Sequence, residues 1–157
     1  MTTTRLTQHI NIARPQVYQA LINPTAVATW MVPDGMTSLV HEFNPTVGGR
    51  FRISLTYDAP TATGKTSART DTYHGHFVEL VPNERVVETM AFESEDPTMQ
   101  GEMTVTFTLT DADGGTDLLA VHDHVPPGIA PAANELGWQI ALDKLKALVE
   151  ESNAHDK

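Results

Sequence analysis

Residues 131–151 read PAANELGWQIALDKLKALVEE, and in them Trp138, Ala141, Leu142, Leu145, Leu148 and Val149 recur at helical spacing. Glu135, Asp143, Lys144, Lys146 and Glu150 fall mostly on the other side, so the segment is an amphipathic helix with one apolar stripe. Pro126, Pro127, Gly128 and Pro131 break the preceding chain, and Pro131 suits a first turn that needs no N–H donor. Gly137 sits inside the helix beside Trp138. An interior glycine costs roughly 1 kcal/mol against alanine, which predicts either close approach of another element or space left for a ligand.

Upstream, the chain reads as short strands joined by tight turns. Ser38–Phe43 turns through Val47-Gly48-Gly49 into Arg50–Asp58, where Phe51, Ile53, Leu55 and Tyr57 share one face. Thr72–Leu80 pairs with Arg85–Glu93 across Val81-Pro82-Asn83-Glu84. Met103, Val105, Phe107 and Leu109 alternate with threonines, and Asp113-Gly114-Gly115 turns into Thr116–Val125. Such hairpins predict an antiparallel sheet. Before it lie a first strand, Thr4–Ile12, a short helix, Gln16–Ile22, and a second one running from an Asn23 N-cap and Pro24 to Trp30. One long helix after so much sheet must cover the sheet's concave face. The fold class is therefore α+β: a curved antiparallel sheet wrapped around a long C-terminal helix, with two short helices after the first strand.

The 157 residues amount to a single domain, with a core spanning about 7–151. No apolar run approaches the ~20 residues of a membrane span, and Met1–His9 lacks the apolar middle of a signal peptide. Zero cysteines exclude a disulfide framework and a thiolate metal site. A cytoplasmic protein is the simplest expectation. The net charge of −10 leaves no basic stripe to neutralise phosphates, which argues against nucleic acid and against anionic membrane surfaces.

Residues 59–66, APTATGKT, match a loose phosphate-loop pattern, but the chain leads on into a strand, whereas that chemistry needs a helix N-terminus. The segment 59–71 reads as a long hairpin tip, either lid or unstructured. His74/His76 and His122/His124 are each two apart on a strand, so each pair is expected to project from one face. Two strands between them put the pairs ~14 Å apart in simple meander order, and no metal or other cofactor is assigned. No Asp or Glu pair for acid–base work stands out: Glu42, Glu88, Glu93 and Glu102 lie in or beside strands, where any of them could simply be solvated. No Gly-x-Ser-x-Gly nucleophile elbow occurs.

Residues 13–18, ARPQVY, followed by Leu21-Ile22-Asn23-Pro24 and Trp30, resemble the opening of the SRPBCC or START-like superfamily. More narrowly they are similar to the branch named for activators of heat-shock chaperone ATPase. Residues 47–52, VGGRFR, then Gly75 to Glu79 with Pro82 to Val87, Gly115 to His122, and Gly137-Trp138 with Leu142 and Leu145 agree with it. The resemblance runs from about residue 7 to residue 150. It implies a helix-grip fold enclosing a hydrophobic cavity, with Trp30, Phe51, Ile53, Met90, Phe92, Met103, Val105, Phe107, His122 and Trp138 as candidates to bind a ligand.

A protein holding a small, largely apolar molecule is the leading expectation. One rival is a cyclase or hydrolase using His122 or His74 as general acid or base. The other is a protein-interaction module, a homodimer or a chaperone partner. Eukaryotic co-chaperones of this type carry an additional N-terminal domain for which the chain has no room, so a chaperone contact has no support from the sequence itself.

Overall fold

The computed structural model describes residues 2–58 and 70–155. Along it run β1 (Thr2–Ile10), α1 (Arg14–Ile22), α2 (Pro24–Trp30), β2 (Met36–Phe43), β3 (Arg50–Tyr57), β4 (Thr70–Val81), β5 (Arg85–Phe92), β6 (Met103–Ala112), β7 (Gly115–Val125) and α3 (Pro131–His155). Among the described residues the strands form one antiparallel sheet of seven, ordered β1-β7-β6-β5-β4-β3-β2. β1 joins the last strand of the hairpin series, so the sheet bends round with the helices on its inner face. The phosphate-loop match and most of the 59–71 segment fall at residues 59–69, outside the described residues.

Alternation decides which side chains go inside. Phe51, Ile53 and Leu55 of β3 are buried, and so are Met103, Val105, Phe107 and Leu109 of β6. The intervening Arg52 and the β6 threonines face the other side, where Ser54 and Thr72 hydroxyls bond across strands at 2.7 Å. In β4, any Cβ at Gly75 would stand 1.7 Å from the Thr89 carbonyl oxygen, so only glycine lets β5 approach that closely.

α3 closes the inner face with the stripe read from its sequence: Trp138, Ala141, Leu142, Leu145 and Val149 are all buried. Its polar flank is tied down. Lys144 donates to the Val32 carbonyl at 2.5 Å and pairs with Asp34, while Lys146 donates to the His9 carbonyl and pairs with Glu150. α2 starts as expected, with Asn23 Oδ1 accepting from the Ala26 N–H at 3.1 Å. Trp30 at its end is 1 % exposed, and its indole N–H donates to the Ala20 carbonyl, which joins α1 to α2.

The strand ends differ from the reading of the sequence. β1 occupies Thr2–Ile10 instead of Thr4–Ile12, because its pairing with β7 extends to Val125. The register shifts between Thr2 and Thr4, and there His124 takes φ 60. That irregularity rotates the chain. His122 and Val125 are buried and His124 is exposed, so the expectation that His122 and His124 project from one face does not hold.

Candidate functional site

The N-terminal half of α3 does not pack flat on the sheet. Asn134, Gly137, Trp138 and Ala141 are spaced one helical turn apart, and they face an open cavity of about 240 Å³. The opposite wall is Leu55, Asp71, Tyr73, Met90, Phe92, Met103 and His122 from the sheet. Met31, Val32 and Pro33 after α2, Ile129 before α3 and Ala133 in the first turn of α3 complete the lining. Most of these groups are apolar. An apolar cavity of ~150 Å³ already accommodates benzene, so this one has room for one or two rings.

Gly137 explains part of that room. A Cβ built on it meets nothing within 4 Å, so of the two readings of an interior glycine, close approach fails and open space holds. The helix is weakened by roughly 1 kcal/mol at this point while the cavity gains volume.

His122 is the polar hub of the wall. Its Nδ1 accepts from the Trp138 indole N–H at 2.9 Å and lies 3.1 Å from Asn134 Nδ2, which also donates to Thr4 Oγ1 at 2.9 Å. With N–H donors on Nδ1, the ring hydrogen sits on Nε2, which faces the Met103 sulfur at 3.1 Å. Burial pushes the imidazole from 6.5 down to about 4, against the opposing charge of Asp123, so it is neutral at pH 7. The Trp138 ring meets both His122 and Phe107 nearly edge-on, with centroids 5.6 and 5.9 Å away.

A second, smaller space lies deeper. Leu21, Val27, Trp30, Phe43, Phe51, Ile53, Glu88 and Phe107 enclose it, and Met31 and Tyr73 border both it and the outer cavity. Its volume is about 10 Å³, the room of one water-sized group. Glu88 is 6 % exposed, and no charge or hydrogen bond among the described residues offsets its burial. Desolvation lifts its carboxyl to about 8. Tyr73, 4 % exposed, has its hydroxyl buried without a hydrogen-bond partner among the described residues. Burial, with the nearby Glu88 carboxylate adding to it, raises that phenol as well.

Of the ten side chains expected to bind a ligand, Met90, Phe92, Met103, His122 and Trp138 border the outer cavity. Trp30, Phe51, Ile53 and Phe107 border the inner cleft, and Val105 is fully buried in the core beside neither. His74 is on the outer face of the sheet, half exposed, where its Nδ1 lies 3.1 Å from Glu93 and Arg52 makes a two-pronged pair with the same carboxylate. Those partners, the Arg52 hydrogen bond foremost, hold Glu93 down at about 2. His76 bonds Thr89 instead. The two histidine pairs are thus not brought together, and among the described residues no group of three or more His, Cys, Asp or Glu is placed to hold a metal.

Of the four glutamates in or beside strands, Glu88 is not solvated but buried. Val86, Met90 and Phe92 alternate with it on β5, and that apolar face was the available signal that its side chain points inward. Asp71 and Tyr73 carried no comparable mark.

The family model described as Activator of Hsp90 ATPase homolog 1-like protein matches residues 11–150. Among solved structures, protein CV1439 from Chromobacterium violaceum is 33% identical and superposes with a TM-score of 0.84, covering 96% of this chain and 99% of that one. A protein from Rhodobacter sphaeroides shares 22% identity at a TM-score of 0.79, covering 96% of this chain and 93% of its own. The AHSA1-like protein from Aeromonas hydrophila shares 20% at 0.71, covering 97% and 94%. The last two likenesses speak for the fold alone. No curated protein matches the chain. Among the described residues, no helix is long and apolar enough to cross a membrane.

Proposed function

The chain belongs to the Activator of Hsp90 ATPase homolog 1-like family, and from that premise we propose that it takes up a small, largely apolar molecule between the sheet and α3. The observation that carries this reading is Gly137: a helix interior gives up intrinsic stability at a point where a side chain would project into the cavity. A cavity kept only by loose packing would be costly, since voids forfeit contacts on every wall. The cavity is open on one side, which gives a guest a route in from solvent.

The enzyme reading finds less support. His122 already spends its basic nitrogen on Trp138 and Asn134, and its low proton affinity makes it a poor base at neutral pH. His74 stands on the far side of the sheet. Among the described residues the large exposed apolar side chains are Leu39, Val47, Val78 and Leu136; only Val47 and Val78 are brought together, by the Gly48 N–H donating to the Phe77 carbonyl, and two valines give a protein-docking reading no comparable foothold.

Titration with the neutral two-ring fluorophore 1-naphthylamine tests the proposal. Its emission is expected to shift to the blue on binding at one site. Gly137→Leu, which improves helix propensity and fills the cavity, is expected to fold normally by circular dichroism and weaken binding at least tenfold. Unchanged binding in a folded Gly137→Leu chain, or no binding to the native chain, overturns it.

A further inference from the structure

The outer cavity and the inner cleft share only Met31 and Tyr73 among their described lining residues. A guest in the outer cavity that carries one protruding atom could therefore pass it beside Tyr73 toward Glu88. The cleft admits a single oxygen-sized group. Its walls are otherwise apolar, so an oxygen placed there has only two polar side chains to meet. Both lack hydrogen-bond partners among the described residues, and an unpaired buried polar group is expensive and rare in a native protein.

We propose that Tyr73 and Glu88 are the polar end of the ligand site, where the phenol and the carboxyl both donate to a carbonyl oxygen of an otherwise apolar, uncharged guest. This deepens the proposed function and rests on it. A carbonyl oxygen has two lone pairs and takes both donors at once. A tyrosine and a protonated carboxyl in an apolar pocket are an established way of holding such an oxygen. The carboxyl keeps its proton at neutral pH because desolvation penalises the anion. The Tyr73 ring is held edge-on between Phe51 and Phe92, with centroids 6.2 and 6.3 Å away, so the hydroxyl does not depend on the guest for its position. Met31, unbranched and adaptable, is the side chain that yields to widen the passage.

Charge sets the rest of the specificity. No lysine or arginine is among the described residues lining either space, whereas Asp71 and Glu88 are. A carboxylate guest would be buried without a cation, which excludes fatty-acid and benzoate-like anions.

Matched probes separate this inference from the reading it rests on. Acetophenone and α-methylstyrene have nearly the same shape and differ in C=O against C=CH2. By ligand-observed NMR titration at pH 7, the native chain is expected to bind acetophenone at least tenfold more tightly than α-methylstyrene, and benzoate not at all. Tyr73→Phe and Glu88→Leu are each expected to remove most of that preference by weakening acetophenone alone. Equal affinity for the two neutral probes in the native chain, a preference that survives both substitutions, or tight benzoate binding overturns the carbonyl site and leaves the cavity reading standing. Failure of both neutral probes to bind the native chain overturns both.

Discussion

Glu88→Gln is expected to change stability little at pH 5 and to raise it by about 5 kcal/mol at pH 9. The carboxyl titrates near its ordinary 4.5 in the unfolded chain and near 8 in the folded one. Between those values the folded protein holds a proton that the unfolded protein has released. Stability contributed in this way is intact below 4.5 and is lost as pH rises through the window to 8. At about 1.4 kcal/mol per pH unit, the whole window is worth about 5 kcal/mol. Glutamine has the same shape and no charge to bury, so the variant should lose the alkaline decline and keep the rest of the profile. Chemical denaturation at pH 5, 7 and 9 measures it. Parallel curves for the two proteins would mean that Glu88 ionises in the folded state much as it does in the unfolded one.

His122 acts in the opposite direction. Its folded value of about 4 lies below 6.5, so the unfolded chain binds the extra proton between those limits. Stability is intact above 6.5 and is lost as pH falls toward 4, by about 3 kcal/mol in all. His122→Leu should abolish that acid decline. At pH 7 the same substitution is expected to destabilise by about 3 kcal/mol, because the Trp138 indole N–H loses its acceptor inside the wall while Asn134 keeps Thr4. Trp138→Phe removes the orphaned donor, so the double variant should lose clearly less than the two singles combined. Additive losses would show that the histidine contributes by packing and not by accepting from Trp138.

Much of the architecture could be read from two periodicities. The 3.6 spacing from Trp138 to Val149 and the strict alternation from Met103 to Leu109 each name their buried face without help from distant residues. What could not be read was anything set by a meeting of distant segments. The register shift between β1 and β7 depends on pairing between the first strand and the last, and at that irregularity His124, with φ 60, turns away from His122. Trp30 and Phe107 point inward as alternation and helix spacing require, but whether an inward side chain borders the cavity, the cleft or neither depends on how α3 crosses the sheet. Glu88 is the instructive case. Its apolar neighbours on β5 place it inside, against the chemical tendency of carboxylates to be solvated. The alternation is the better guide here, and the exception lies beside the candidate site, where a local rule is most often broken for function.

The most direct test of a guest held between sheet and helix is where a bound molecule lies. Intermolecular NOEs should be recorded for 1-naphthylamine on the isotope-labelled chain. Contacts are expected to the Gly137 α-protons, the Met90 and Met103 methyls and the Trp138 ring, all walls of the one cavity. Contacts confined to the exposed Leu39, Val47, Val78 or Leu136 would contradict it, because the dye would then be bound to the surface and the cavity would have no part in holding it.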